Sequence, residues 1–205
     1  MKKNFWDRNA KLYDRFMRKD RAAYERVYAL ICPVVRDKNV LELATGTGLI
    51  AKNIVHYAHM IEATDASAEM IKEAQRENVS AKLHFSVQDM FRLPYADGSF
   101  DVVIVSNALH IVPCAEKALC EIRRVLRDDG VLIAPTFTHA DNSAVCRIKA
   151  FLMKLIGFPL HNKWTSEEYI DFLRRNGWVI QKSAVLKASF PIAYVQCVKN
   201  GSDFR

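Results

Sequence analysis

Residues 40–48, Val40-Leu41-Glu42-Leu43-Ala44-Thr45-Gly46-Thr47-Gly48, set a short apolar run against a pair of glycines, and Asp65 closes the next apolar run seventeen positions beyond Gly48. The pattern predicts strand, tight loop, helix and a second strand tipped by a carboxylate, which marks a nucleoside-type cofactor site. Glycines let backbone approach a ligand with no Cβ in the way. A carboxylate at the second strand tip can accept hydrogen bonds from both ribose hydroxyls. Gly46-Thr47-Gly48-Leu49-Ile50-Ala51 also satisfies the permissive dinucleotide pattern G-x-G-x-x-G/A, so the loop alone leaves two cofactor classes open. Glu42 tilts the balance, because a pyrophosphate entering past it would meet a negative charge whereas a cationic ligand would gain from it. The plain structural reading of Glu42 is a strand-end acid turned to the surface.

These residues need a scaffold, and the composition supplies one. A chain of 205 residues, half of them hydrophobic, can bury the core of a single domain. No apolar run reaches the roughly 20 residues of a membrane span, and Met1-Lys2-Lys3-Asn4-Phe5-Trp6-Asp7 lacks the apolar stretch of a signal peptide, so the expectation is a cytoplasmic protein. The five cysteines, Cys32, Cys114, Cys120, Cys146 and Cys197, form no C-x-x-C pair and are expected to be free thiols, with no structural metal. Residues 1–38 carry 11 Lys/Arg against 5 Asp/Glu, and the remainder 19 against 18, so the positive charge belongs to the N-terminal segment. Phe5, Trp6, Tyr13, Phe16 and Met17 interleave with those charges at near-helical spacing, as the solvated face of amphipathic helices requires. No motif that reads nucleic acid accompanies them.

Alternation of apolar runs and helical stretches defines the rest. Residues 4–32 predict one or two helices, broken near Lys19-Asp20 and stopped by Pro33. Strands follow at 39–43, 60–64, 82–87, 101–106 and 130–136. Helices fall between them at 48–57, 67–77 and 115–126, with Asp129-Gly130 as the turn into the fifth strand. Such alternation implies parallel strands with helices on both faces. An insert with a helix over 141–157 is expected to lie above the site. Thr165-Ser166-Glu167-Glu168 opens a further helix with a capping box, stopped by Gly177. Two strands near 178–187 and 191–199 are joined so closely that they form an antiparallel hairpin. The predicted fold is α/β, a Rossmann-like seven-stranded sheet, mostly parallel, with an antiparallel C-terminal hairpin. It makes a single domain: an N-terminal helical cap (1–36), a cofactor-binding core (37–136), a substrate-side insert (137–165), and a C-terminal helix and hairpin (166–205).

In this order the segments Leu41–Gly48, Asp65-Ala66-Ser67 with Met70, Gln88-Asp89-Met90 with Leu93-Pro94, and Phe100-Asp101-Val102-Val103 leading to Asn107-Ala108-Leu109-His110 resemble the class I S-adenosylmethionine-dependent methyltransferases, in the group that includes the ubiquinone and menaquinone biosynthesis enzymes. The resemblance covers about residues 37–136. It implies S-adenosylmethionine as cofactor and S-adenosylhomocysteine as product. Glu42 and the backbone from Ala44 through Gly46 to Gly48 would hold the methionine end, Asp65 the ribose, and Asp89 the adenine amino group. Ala66, Met70 and Met90 would sandwich the adenine, Asn107 would line the channel near the sulfonium, and Tyr13 would form part of a lid. The family usually has glycine where this chain has Ala44, a small perturbation if alanine keeps a negative φ.

The implied reaction is in-line attack of an acceptor atom on the activated methyl group, for which alignment in a dry cleft is the protein's main task. If the acceptor must lose a proton, His110 is the first candidate base, then His139, then His161. Phe5, Trp6, Tyr13 and Phe16, with Phe151, Met153, Leu155, Phe158 and Trp164 of the insert, predict a small apolar or aromatic acceptor; the same residues could equally serve packing. Two other functions fit parts of the sequence. One is a nicotinamide-dependent oxidoreductase using the same glycines and Asp65, although no Tyr-x-x-x-Lys pair is present. The other is a methyltransferase-like binding protein without turnover.

Overall fold

Strands β1 (Asn39–Leu43) and β4 (Phe100–Val105) are buried almost throughout because helices cover both faces of the sheet they centre. The computed structural model describes residues 5–10, 18–76, 78, 80–138 and 161–201. Tyr13, Phe16, His139 and the predicted insert helix with Phe151, Met153, Leu155 and Phe158 lie outside the described residues.

The strands β2 (Met60–Asp65), β3 (Leu83–Val87) and β5 (Leu126–Ile133) join β1 and β4 in the parallel order β3-β2-β1-β4-β5. A short β6 (Thr136–Phe137) and the long hairpin β7 (Trp178–Leu186) and β8 (Ile192–Lys199) complete the sheet. β8 runs antiparallel between β7 on one side and β5 followed by β6 on the other. The eight strands therefore occupy seven positions across, as the sequence predicts, because β5 and β6 lie end to end along one edge of β8. The expected single strand over 130–136 is interrupted at Pro135, which has no N–H to give to a ladder.

The connection into β5 differs from expectation. Asp129-Gly130 is not a turn: β5 starts at Leu126, and the register with β4 passes from Phe100↔Leu126 to Val102↔Val131, so residues 127–130 bulge inside the strand. A Cβ on Gly130 would come within 2.7 Å of the Leu126 side chain, which is why the bulge needs glycine there.

Helices α1 (Arg21–Ile31) and α2 (Leu49–Ile54) pack on one face of the sheet, and α4 (Ala115–Val125) and α5 (Ser166–Arg175) on the other. Helix α3 (Ala68–Gln75) follows β2. Period-2 alternation divides β1 between the two cores: Val40 faces α1 and α2, while Leu41 and Leu43 face α4 and α5. Thr165 accepts a hydrogen bond from Glu168 N–H, and the Glu168 carboxylate accepts from Thr165 N–H, the predicted capping box. At the β3 edge the outward carbonyls of Leu83 and Phe85 accept hydrogen bonds from the Asn78 and Gln75 side-chain amides, at 2.8 and 3.3 Å. No helix among the described residues is long and apolar enough to cross a membrane.

Helix α1 is tied to the C-terminal hairpin near both of its own ends. Asp20, its N-cap residue, accepts a hydrogen bond from Ser189 N–H at 2.6 Å in the β7–β8 connection, and Tyr194 Oη of β8 donates to Leu30 O at 3.4 Å.

Candidate active site

The site is built at the carboxyl ends of β1, β2 and β4, where the chain leaves each strand for a helix. After Leu43 the backbone enters the left-handed region three times, at Ala44 (φ 51°), Gly46 (59°) and Gly48 (79°). Ala44 thus departs from the negative φ expected of it: the loop imposes on alanine a conformation that glycine adopts without strain, and this is the physical reason glycine suits the position. Gly48 is fixed by space as well, since a Cβ there would lie 2.6 Å from the Phe85 ring.

Asp65 organises the loop. One carboxylate oxygen accepts from Gly46 N–H at 2.9 Å and the other from Ser67 N–H at 2.8 Å. Each oxygen keeps a lone pair for a further donor such as a ribose hydroxyl. Burial raises its carboxyl above the ordinary range, opposed by those two amides, and the nearby Asp7 carboxylate adds to the rise. Ser67 caps α3 by accepting from Met70 N–H, and its hydroxyl donates to Asp7 at 2.6 Å. The 5–10 helical segment is thereby brought against the Asp65 turn, a contact across sixty positions of sequence that no local pattern announces.

Glu42 shares the face of Val40, on the α2 side, and is 2% exposed. Burial pushes its carboxyl up to about 8, and Thr45 and the Ala51 amide oppose the rise. Neither closes a bond to Oε2, which is buried with no hydrogen-bond partner among the described residues. The surface reading of this acid is therefore ruled out. A buried carboxyl with an unsatisfied oxygen below a glycine loop holds its proton near neutrality, and a cation arriving beside it favours the ionised form, which then serves as its counter-charge.

A cleft of about 150 Å³ opens above these groups, with walls that include Ala44, Gly46, Asp65, Ala66, Met70, Asp89, Met90 and Asn107. The described residues proposed for the cofactor are thus brought together, except that Glu42 and Gly48 are not among the walls; Tyr13 lies outside the described residues. The sequence reading missed the parts played by Gln88, Phe91, Ile111 and Val112 in the same walls, and placed Trp6 with the acceptor, whereas it borders this cleft. For Trp6 and Asp7 the signal was an aromatic-acid pair in the N-terminal helix, without anything to say where it docks.

Asp89 is exposed and accepts from Phe91 N–H at 2.9 Å, so it forms a turn while also reaching the cleft. Asn107 is a non-glycine residue at φ 51°. Its side-chain amide donates to Tyr24 Oη at 2.6 Å and accepts from Phe137 N–H at 2.9 Å, which locks the tip of β4 to α1 and β6.

His110 is buried, with Nδ1 2.8 Å from Thr136 Oγ1, and is not among the walls of the cleft. Its carbonyl accepts from the backbone amides of His161 and Asn162, so two of the three candidate bases are neighbours. Trp164, expected in the acceptor pocket, instead stacks on Phe172 of α5 at 4.6 Å between ring centroids.

Residues 41–134 match a family model described as a methyltransferase domain. The demethylmenaquinone methyltransferase of Beutenbergia cavernae is 31% identical over 140 residues, 68% of this chain and 58% of its own length. That of Thermotoga maritima is 35% identical over 135 residues, 62% of this chain and 58% of its own. The chain thus spans a little over half the length of these curated relatives. Among solved structures, a chain described as a methyltransferase, in complex with a methyltransferase activator of Haloferax volcanii, superposes with a TM-score of 0.82 at 19% identity, over 97% of this chain and 99% of that one. A complex of DhpI with S-adenosylhomocysteine gives a TM-score of 0.72 at 24% identity, over 96% and 94%. These likenesses establish the fold.

Proposed function

We propose that this chain, which belongs to the class I S-adenosylmethionine-dependent methyltransferases, transfers a methyl group from that cofactor to a small-molecule acceptor by in-line displacement. The observation that carries the reading is the buried, incompletely satisfied Glu42 below the glycine loop. A dinucleotide pyrophosphate would oppose ionisation of this carboxyl still further, whereas a cofactor bearing an ammonium and a sulfonium favours the ionised form and is balanced by it.

When bound, S-adenosylmethionine supplies a methyl group already activated by its positive sulfur. The residues of this chain then bind, orient and exclude water. The loop from Ala44 to Gly48 would hold the methionine end, Asp65 the ribose hydroxyls and Asp89 the adenine amino group, with Ala66, Met70 and Met90 against the adenine faces. Asn107, held from two sides, would fix the geometry at the tip of β4. Orientation of this kind can be worth roughly 7 to 11 kcal/mol of the barrier. His110 is the base to test if the acceptor must lose a proton: His110→Ala that leaves turnover and its pH profile unchanged would remove it from the mechanism.

The oxidoreductase and the non-catalytic reading have no observation in their favour, and the antiparallel β7–β8 hairpin replaces the further parallel units common in dinucleotide reductases. The deciding experiment is calorimetric titration with S-adenosylmethionine, S-adenosylhomocysteine and NAD, alongside Asp65→Ala. The expected result is micromolar binding of the first two, weakened by one to two decades in the variant, as loss of charge-assisted hydrogen bonds worth about 1.5 to 3 kcal/mol implies. Binding of NAD alone would overturn the proposal.

A further inference from the structure

A second cavity, of about 310 Å³, lies between α1 and α2 and is lined by Arg18, Arg21, Tyr24, Glu25, Tyr28, Leu49 and Asn53. It adjoins the cofactor cleft through one hydrogen bond: Tyr24 belongs to this cavity, Asn107 to the cleft, and their side chains meet at 2.6 Å. Leu49, which follows Gly48, places the cavity beside the end of the loop assigned to the methionine part of the cofactor.

The electrostatics of its rim are not what helix stability would select. Helix α1 has no acid in its first turn, and Arg18, Lys19 and Arg21 gather where the helix dipole already adds positive potential. Two carboxylates stand against these three cations, so the rim keeps a net positive charge: Asp20 accepts from Ser189 N–H, and Glu25, itself in the lining, meets Arg21 at 3.5 Å with both side chains largely exposed, at 59% and 83%. An exposed pair of that kind holds weakly, so Arg21 is readily released to another anion. Tyr24 and Tyr28, almost fully buried, form an aromatic wall under this positive rim.

Resting on the methyltransferase reading, we infer that this cavity receives the acceptor, and that the acceptor is an aromatic or apolar molecule carrying a carboxylate, which Arg18 and Arg21 hold at the rim while the body lies against Tyr24 and Tyr28. A bidentate guanidinium contact both binds such a group and sets the molecule's direction toward the Tyr24–Asn107 junction.

The test uses the full chain saturated with S-adenosylhomocysteine, with 3,4-dihydroxybenzoate and its neutral counterpart catechol as probes, measured by calorimetry. The acid is expected to bind at least tenfold more tightly. Arg18→Gln/Arg21→Gln is expected to abolish that preference while S-adenosylhomocysteine affinity stays within twofold. Equal affinity for the two probes, or binding of neither, overturns the inference. A parallel fall in S-adenosylhomocysteine affinity also overturns it, by assigning the arginines to the cofactor's own carboxylate. Failure of wild-type protein to bind S-adenosylhomocysteine at all would instead overturn the methyltransferase reading, so the two failures are distinct.

Discussion

Glu42 makes the stability of the protein depend on pH in a definite sense. The unfolded chain releases this proton near the ordinary value of 4.5, and the folded chain holds it up to about 8. Between those values the folded state binds the extra proton, so stability falls as pH rises and levels off above about 8. Glu42→Gln is expected to melt at a higher temperature than the parent at pH 9 and to flatten the profile between pH 5 and 9, as thermal denaturation across that range would read. Cofactor affinity should show the opposite trend, climbing with pH toward about 8 in the parent and losing that dependence in the variant. Ala44 yields a second prediction. Its left-handed backbone costs about 1 to 2 kcal/mol; glycine would relieve that strain but lose about 0.4 to 1 kcal/mol of the gain to its larger unfolded-state entropy. Ala44→Gly is therefore expected to stabilise modestly, raising the melting temperature by about 2 to 4 °C. The glycine pair and Asp65 were legible in the sequence because their chemistry is local to one strand, loop and strand. The φ of Ala44 was not, since nothing in a lone alanine reports the loop that bends it.

The strands and helices of the core were legible because apolar runs of strand length alternate with amphipathic stretches, and a parallel sheet buried on both faces leaves little room for other assignments. The β5 region escaped: Asp129-Gly130 has the composition of a turn, and only the neighbouring register of β4 makes it a bulge. Element-scale predictions separate packing from binding. Gly48→Ala places a methyl against Phe85 at an unfavourable φ and is expected to cost at least about 2 kcal/mol, read by chemical denaturation, with cofactor affinity falling alongside. Thr165→Ala removes one half of the α5 capping box and is expected to cost about 1 kcal/mol, while titration with S-adenosylhomocysteine gives the parental affinity because the cap contributes nothing to the cleft.

At the scale of the whole molecule, the contacts that complete the site and anchor α1 beside it join distant parts of the chain: Asp7 to Ser67 and Tyr24 to Asn107 at the site, Asp20 to Ser189 at the anchor. Sequence alone could not pair them, because each is a polar contact between residues whose types are common and whose separation is large. Trp6 borders a cleft of only about 150 Å³, below the roughly 300 Å³ at which small-molecule sites begin. The 5–10 segment is therefore expected to shift when the cofactor enters. Of the three tryptophans, Trp6 is the one in those walls, so S-adenosylhomocysteine should change the intrinsic fluorescence of the parent but not of Trp6→Phe.

The placing of β8 between β5 and β7 has a temporal consequence. The strand that occupies an interior position follows all its neighbours in the chain, so a nascent polypeptide leaving the ribosome carries β5 and β7 with unpaired borders until residues 192–199 emerge. The half-made sheet passes through its most adhesive form late in synthesis, and chains released at residue 190 are expected to sediment with chaperones or aggregates, whereas the finished chain closes that gap with a single strand.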